Sequence, residues 1–235
     1  MNKSILRRFL SLILEKTYNY IDKIHSFRIR KFYKDKNIDC VIDVGSHKGE
    51  FINSICEDHI PIFSFEPQMS VRHELMKNTQ GKNVLEYFDY ALSSYSGFTD
   101  LHISHLTSTS STLAPDEKRR WIRFKKFLLG GSLIAKTVNV NVEKLDNILL
   151  TKLESFNSIL LKIDVEGAES DVLIGAKNII CNQNIKFIQI EISSSNKYKK
   201  ALDILNKNGF IESKKFLFPL LNLIVFIFEK NKFLY

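Results

Sequence analysis

The sequence predicts an α/β protein built around a mostly parallel sheet. From Asp39 onward, short apolar runs rich in β-branched residues alternate with segments of helical periodicity. This alternation is typical of parallel strands joined by right-handed helical crossovers. The first unit, residues 40–51, starts as an apolar strand and turns through Gly45 and Gly49 into a helix, which is the strand-loop-helix arrangement of nucleotide-binding domains.

Length and composition indicate one soluble domain with an appendage. The chain has 235 residues, of which 44% are hydrophobic and 26% charged, an ordinary composition for a globular protein. Its three cysteines are far apart in the sequence, which predicts neither a disulfide framework nor a metal cluster and fits a reducing compartment. We therefore expect a cytoplasmic protein.

Positive charge is concentrated near the N-terminus. The net charge is +8, and residues 1–36 hold ten Lys or Arg against three acids. Apolar residues spaced between them predict one or two amphipathic helices over residues 4–33, so we expect a basic helical extension (residues 1–38) followed by a domain (residues 39–235). The longest uncharged run, residues 9–14, is too short to span a bilayer. The extension either contacts an anionic membrane surface, at the inner face of the membrane, or packs on the domain with its basic face in solvent.

Acidic residues end the first three strands of the pattern. Asp43 precedes Gly45, Glu66 follows the apolar run 62–65, and Asp89 follows a third run that begins at residue 84. The carboxyl ends of parallel strands meet at one edge of a sheet, where such folds bind their ligands. We therefore expect these acids to border one site.

The chemistry of these acids favours an aminoacyl nucleoside over a dinucleotide. A carboxylate such as Asp43 at the first tip suits hydroxyl or ammonium groups and would repel a pyrophosphate. Glu66, about 20 residues further on, stands where such folds bind a ribose diol. Asp89 could accept from a purine amine, with Tyr90 and Leu92 as walls for the ring. The alternative for the glycine loop alone is a tight turn without a ligand, and for single acids an exposed strand end.

Residues 105–136 interrupt the alternation of strands and helices. A hydroxyl-rich loop, residues 105–112, precedes a predicted helix, residues 115–129, in which six Lys or Arg surround Trp121. Insertions at this edge of a sheet often cover substrates, so we interpret this segment as a lid over an anionic or glycosyl substrate, or as a helix with solvated charges. No recognised nucleic-acid motif accompanies it, which disfavours a nucleic-acid partner.

A second acidic group follows the buried strand 159–163. Asp164, Glu166 and Glu169 precede a predicted helix over residues 170–180, and a helix N-terminus stabilises such acids, so a structural role is available. Three acids in six residues nevertheless exceed what capping needs. Glu191, near the end of a fifth strand (185–192), should lie beside Asp164, as base and orienter or as ligands for a divalent cation. A helix over 199–208 and strands over 210–216 and 223–228 complete the domain.

Taken together, these stretches resemble a known family. The chain is similar to class I S-adenosylmethionine-dependent methyltransferases and, within them, to the FkbM family. The resemblance covers roughly residues 39–193 and the final hairpin. The stretches that carry it are 41–45 with Gly49, 65–67, 91–93, 107–112, 144–146 and, with the greatest specificity, Leu161-Lys162-Ile163-Asp164-Val165-Glu166-Gly167-Ala168-Glu169.

The resemblance implies a fold, a reaction and a methyl donor. It implies a Rossmann-like three-layer sandwich with a mostly parallel seven-stranded sheet whose last strand is antiparallel. It also implies S-adenosylmethionine as the methyl donor and a hydroxyl of a sugar, glycolipid or polysaccharide precursor as the acceptor. The acceptor hydroxyl is a poor nucleophile at neutral pH, so a base or a divalent cation should assist it.

The resemblance also implies roles for individual residues. Asp43, Gly45 and Gly49 would line the methionine end of the cofactor, and Glu66 the ribose. Asp89, Tyr90 and Ala91 would line the adenine. Ser46, His47 and Lys48 replace the small residue and the Asn of typical members, and Lys48 could assist at the cofactor carboxylate. The candidates for proton removal are Asp164 first, then Glu166, Glu191 and His105.

Two other classes of function remain open at this point. A nicotinamide-dependent oxidoreductase uses the same fold, although the third glycine of its usual fingerprint is missing. A basic module that binds a membrane or a nucleic acid without turnover is the other alternative.

Overall fold

The computed structural model describes residues 24, 26–104, 110–112, 134–192, 195–218 and 223–231. The predicted basic helix over 115–129, the candidate base His105 and the first 23 residues of the predicted extension lie outside the described residues.

Eleven strands and seven helices follow one another in the described chain. The strands are β1 (Cys40–Val44), β2 (Ile62–Phe65), β3 (Val84–Phe88), β4 (Ala91–Leu92), β5 (Gly97–Ser104), β6 (Ser110–Ser111), β7 (Ile134–Glu143), β8 (Ile159–Ile163), β9 (Ile185–Ile192), β10 (Phe210–Phe218) and β11 (Leu223–Lys230). The helices are α1 (26–33), α2 (Glu50–Ile55), α3 (Met69–Asn78), α4 (Leu145–Leu149), α5 (Glu169–Gly175), α6 (Lys177–Cys181) and α7 (Ser195–Lys207).

Seven of the strands form the central layer, in the order β10-β11-β9-β8-β1-β2-β3. The five strands from β9 to β3 are parallel to one another, and β11 runs antiparallel to both of its neighbours. This arrangement confirms the predicted Rossmann-like fold with a mostly parallel seven-stranded sheet.

Helices cover both faces of this sheet. Alternate residues of β1 point to opposite sides, so Ile42 and Val44 join a core that includes residues of α4, α5, α6 and α7, whereas Val41 joins a core that includes residues of α1, α2 and α3. Strands buried on both faces explain the nearly continuous apolar runs in the sequence. The result is a three-layer sandwich.

A second, smaller sheet lies beside the first and has the order β4-β7-β5-β6. The sequence predicts one strand from residue 84 to residue 93, but the chain leaves the main sheet after β3, and β4 pairs in parallel with β7. The predicted strand over 98–104 is β5, which forms an antiparallel hairpin with β7. Residues 134–136, assigned to the insertion, are therefore part of a strand.

The described part of the N-terminal extension packs on the domain. Ile29 and Tyr33 of α1 are buried, and the Tyr33 hydroxyl donates a hydrogen bond of 3.1 Å to Gln189 Oε1 in the sheet. Helix α1 is therefore part of the core of the domain. This agrees with the interpretation in which the extension packs on the domain with its basic face in solvent. None of the helices in the described ranges combines the length and the apolar character needed to cross a membrane.

The helix predicted over 170–180 is divided into α5 and α6. The Asp146 carboxylate accepts hydrogen bonds from the backbone amides of Asn178 and Ile179, each at 2.9 Å. These bonds satisfy amide groups of the first turn of α6, which lack partners within the helix.

Candidate functional site

An open cavity of about 650 Å³, including its mouth, lies over the carboxyl ends of β1, β2 and β8. The loops after β1, β2 and β8 border it, and residues of β4 and β5 complete its wall. The cavity thus lies at the carboxyl edge of the sheet, where the sequence predicts a site.

The loop after β1 is held from two sides. The backbone amides of Gly45 and Ser46 both donate to the Phe65 carbonyl at the end of β2, at 3.1 and 3.0 Å. Gly45 has a φ of 77° and lines the cavity, and a Cβ there would stand 1.9 Å from the Asp164 carbonyl oxygen. Only glycine allows this backbone conformation and this approach together.

Glu66 lies at the end of β2 and borders the cavity, with its side chain 4% exposed. Its Oε1 accepts a 2.8 Å hydrogen bond from the Gln68 amide, and its Oε2 accepts one of 3.1 Å from the His47 amide. Burial raises the pKa of Glu66, while these amide bonds act against the increase. Each carboxylate oxygen has a further lone pair, so Glu66 can still accept hydrogen bonds from two ligand hydroxyls.

Asp43 is fully buried and is not among the described residues that line the cavity. Its Oδ1 lies 3.0 Å from the Nζ of Lys162, and within the described residues neither of its carboxylate oxygens accepts a hydrogen bond of good geometry. Burial raises the pKa of Asp43, and the Lys162 ammonium opposes that rise. Asp43 therefore lies beneath the cavity, whereas the family resemblance implied that it lines the methionine end of a ligand.

The remaining predicted residues of this loop support its shape. The Ser46 hydroxyl donates to the Asp43 carbonyl at 2.9 Å, and Lys48 pairs with Glu74 at 2.8 Å. Gly49, with a φ of 87°, is the residue from which α2 starts, and a Cβ there would lie 2.6 Å from Thr79 Cγ2. None of Ser46, Lys48 and Gly49 belongs to the described lining of the cavity.

Two strained residues face the cavity. Among the described residues, His47 and Glu166 are the non-glycine residues with positive φ, at 46° and 53°, and both line the cavity. The His47 Nδ1 lies 3.2 Å from Glu50 Oε1, and although burial acts to raise the pKa of Glu50, this contact lowers it overall. Strain of this kind concentrates at functional sites, which supports His47 as a further candidate for proton removal, a role that the sequence also allowed.

Asp164 also lines the cavity and is half-buried. Its amide donates to the Val44 carbonyl at 3.0 Å, and its Oδ2 lies 3.6 Å from the Nζ of Lys162. Burial alone would lower the pKa of Lys162, but the carboxylates of Asp43, Asp164 and Glu191 raise it, so Lys162 is a cation. Positive charge therefore lies beside Asp164.

Glu191 follows Ile190, which pairs with Ile163, so its backbone is next to that of Asp164 as predicted. It is not among the described residues that line the cavity. In the described ranges, no three His, Cys, Asp or Glu side chains are grouped so that they could hold a metal ion.

Some of the residues predicted to line the adenine ring border the cavity. Tyr90, Ala91 and Leu92 line the cavity, whereas Asp89 is exposed and is not part of the described lining. Sequence reasoning missed several other lining residues, which are Phe65, Leu101, Thr112, Val165 and Ala168. It also gave no role to Lys162, although a lysine inside the buried strand β8 was a visible signal.

Comparisons with known proteins agree with this geometry. Residues 43–217 match the family model described as "Methyltransferase FkbM domain". No curated protein matches the chain.

Three solved structures illustrate the similarity of fold. The magnesium protoporphyrin IX methyltransferase of Synechocystis PCC 6803 with bound SAM has a TM-score of 0.52 and 9% identity, over 92% of this chain and 83% of that one. A putative rRNA methylase from Clostridium thermocellum has a TM-score of 0.47 and 11% identity, over 87% and 94%. Fibrillarin of Aeropyrum pernix with bound S-adenosyl-L-methionine has a TM-score of 0.45 and 10% identity, over 81% and 66%. The first similarity shows a shared fold, and the other two are weaker.

Proposed function

The chain belongs to the FkbM methyltransferase family, and we propose that it transfers a methyl group from S-adenosylmethionine to a hydroxyl of a sugar, glycolipid or polysaccharide precursor. The observation that carries the proposal is the single cavity that Glu66, Asp164 and Glu166 share at the carboxyl edge of the sheet.

The residues present fit this methyl donor. Glu66 keeps acceptor capacity for two hydroxyls of a ribose. Tyr90, Ala91 and Leu92 offer an apolar wall to an adenine ring. The carboxylates of Asp164 and Glu166 at the same cavity favour a cationic group such as a sulfonium.

The chemistry asks little of the protein beyond alignment and proton removal. S-adenosylmethionine, when bound, supplies a methyl group that its sulfonium has already activated. Alignment of an acceptor oxygen by the cavity walls is worth several kcal/mol. Asp164, which faces the cavity on a fixed backbone, would accept the proton of the acceptor hydroxyl, and Glu166 and His47 are the next candidates.

The site also supplies positive charge of its own. The Lys162 ammonium lies 3.6 Å from Asp164 Oδ2, so a protein cation stands where the sequence suggested a divalent one.

We propose that residues 1–36 contact the inner membrane surface, where a lipid-linked acceptor would lie. On α1, Phe27 is 69% exposed, and Arg28, Arg30 and Lys31 are exposed too, as is Lys34 directly after the helix. An exposed aromatic residue among cations is the composition that binds anionic lipid surfaces.

The other classes of function have less support. The match to a methyltransferase family favours methyl transfer over hydride transfer to a nicotinamide. A binding module without turnover would have no need for the strained lining residues His47 and Glu166.

The experiment that tests the acceptor class uses isotope-labelled S-adenosylmethionine. The full chain is incubated with glycan, glycolipid, RNA and protein fractions from a strain that lacks the gene. We expect label in the glycan or glycolipid fraction, and none there with the Asp164→Asn variant. Label found only in RNA or protein would overturn the proposed acceptor while keeping the methyltransferase assignment.

A further inference from the structure

A row of buried polar side chains crosses the middle of the main sheet. Ser64, Asp43, Lys162 and Gln189 occupy aligned positions on β2, β1, β8 and β9. All four are buried and point to the face covered by α1, α2 and α3. Parallel strands buried on both faces are normally apolar, and a buried charged pair costs desolvation energy. Packing alone therefore does not explain why these four polar residues are buried here.

The outer members of the row are satisfied locally. The Ser64 hydroxyl donates to the Ser46 hydroxyl at 2.7 Å, and the Gln189 amide oxygen accepts from Tyr33 at 3.1 Å. Asp43 faces Lys162 within the row.

Lys162 differs because it reaches beyond the row into both loops that border the cavity. Its Nζ donates a 2.7 Å hydrogen bond to the Gly45 carbonyl in the loop after β1. The same atom lies 3.0 Å from Asp43 Oδ1 and 3.6 Å from Asp164 Oδ2 in the loop after β8. An ammonium has three N–H donors, and three acceptor groups surround this one.

We infer that Lys162 is a positioning residue for the methyl-donor site, which holds the Gly45 carbonyl and the Asp164 carboxylate from beneath while Asp43 serves as its counter-charge. The inference rests on the proposed function. It assigns the Asp43 carboxylate an indirect role, since this group is paired with Lys162. Lys162 is not among the described residues that line the cavity, so it acts without touching the ligand.

The test removes both members of the charged pair at once. A single Lys162→Met substitution would leave Asp43 charged and unpaired in the core, which is strongly destabilising and uninformative. The double variant Asp43→Asn/Lys162→Met leaves no buried charge in the pair and keeps the net charge of the cavity floor. A change in ligand affinity then does not arise from a buried charge left without its partner.

Gln189, the next residue of the same row, offers a matched control. Tyr33→Phe/Gln189→Leu removes a buried hydrogen-bonded pair that contacts neither loop of the cavity. Calorimetry with S-adenosylmethionine, thermal unfolding and amide hydrogen exchange are measured for the wild type and both double variants.

We expect Asp43→Asn/Lys162→Met to bind S-adenosylmethionine about 10- to 100-fold more weakly than the wild type. The amides of residues 45–47 and 164–167 should exchange faster, while those of β1 and β8 stay protected. The control variant should keep the affinity and the loop protection of the wild type.

Equal affinity and loop exchange in the wild type and Asp43→Asn/Lys162→Met would overturn the inference, and so would an equal loss in the control. If the methionine variant does not fold, Asp43→Asn/Lys162→Gln replaces it, because the shorter amide cannot reach both loops and the same losses are expected. If the wild type did not bind S-adenosylmethionine, the proposed function would be overturned instead. The hydrogen-exchange rates of the loop amides would still show whether Lys162 holds the two loops in place.

Discussion

A Cβ atom on Gly45 would stand 1.9 Å from the carbonyl oxygen of Asp164, so the loops after β1 and β8 meet through their backbones. This contact joins the strand that begins the domain to the strand that carries the acidic cluster. It brings the candidate base to the edge of the cavity, where the Lys162 ammonium also contacts both loops from beneath. Main-chain packing and this lysine together fix the position of the two loops.

The first prediction concerns this contact. Gly45→Ala should lower the free energy of unfolding by at least about 3 kcal/mol, because it adds a steric clash to a left-handed φ. Gly81→Ala is the control, since Gly81 has a φ of 94° but nothing within 4 Å of a Cβ, and it should cost only about 1 kcal/mol. Urea denaturation measures both values, and equal costs would contradict the close approach.

The second prediction concerns the ribose end. Glu66→Gln should weaken binding of S-adenosylmethionine about tenfold, since an amide offers fewer acceptor sites than a carboxylate to the two hydroxyls. Glu86→Gln, on the neighbouring strand and paired with Lys152 at the surface, should change nothing. Calorimetry compares the two variants, and unchanged affinity in Glu66→Gln would remove Glu66 from the site.

The third prediction concerns pH. Burial raises the pKa of Glu66, and the ionised form is the better acceptor. The affinity for S-adenosylmethionine should therefore be full at neutral pH and fall as the pH drops through that raised pKa, earlier than an ordinary glutamate would titrate. In a calorimetric pH series, the Glu66→Gln variant should not show this loss of affinity at low pH. If both proteins lose affinity over the same pH range, another group is responsible.

The fourth prediction separates binding from transfer. Asp164→Asn should weaken binding of S-adenosylmethionine only a few-fold, because Glu166 still faces the cavity. It should slow methyl transfer about 10²- to 10⁴-fold, the usual loss of a positioned base. Glu191→Gln should have a smaller effect, because Glu191 is not among the described cavity-lining residues. Rates of label incorporation into the glycan fraction measure this difference. If Asp164→Asn transferred the methyl group at the rate of the wild type, Glu166 or His47 would be the base instead.

The fifth prediction concerns the membrane. The full chain should sediment with vesicles of anionic phosphatidylglycerol and much less with vesicles of neutral phosphatidylcholine. Reversing two exposed charges at the end of α1 and directly after it, in Lys31→Glu/Lys34→Glu, should weaken this association by about 1 kcal/mol or more per charge. Equal binding to both vesicle types would exclude an electrostatic contact.

Sequence periodicity was sufficient for the main architecture because parallel strands buried on both faces leave apolar runs. It placed Glu66 and Asp164 at strand tips, and the structure brings both to one cavity. The place where the chain leaves the main sheet after β3 was not predictable, because a two-residue strand such as β4 leaves no periodic signal.

The arrangement around Asp43 could not be read from the sequence for a related reason. Alternation shows which residues share a face, but it does not give the register between β1 and β8. That register places Lys162 opposite Asp43, and the two side chains form a buried ion pair. The left-handed backbone of His47 likewise arises from contacts across the loop, such as the hydrogen bond from its amide to Glu66.

Calorimetric titration of the full chain with S-adenosylmethionine tests the central claim most directly. The account predicts a single site per chain, with weaker binding in Glu66→Gln and in Asp43→Asn/Lys162→Met and unchanged binding in Glu86→Gln. Absence of binding by the wild type, or binding of NADH in its place, would contradict it.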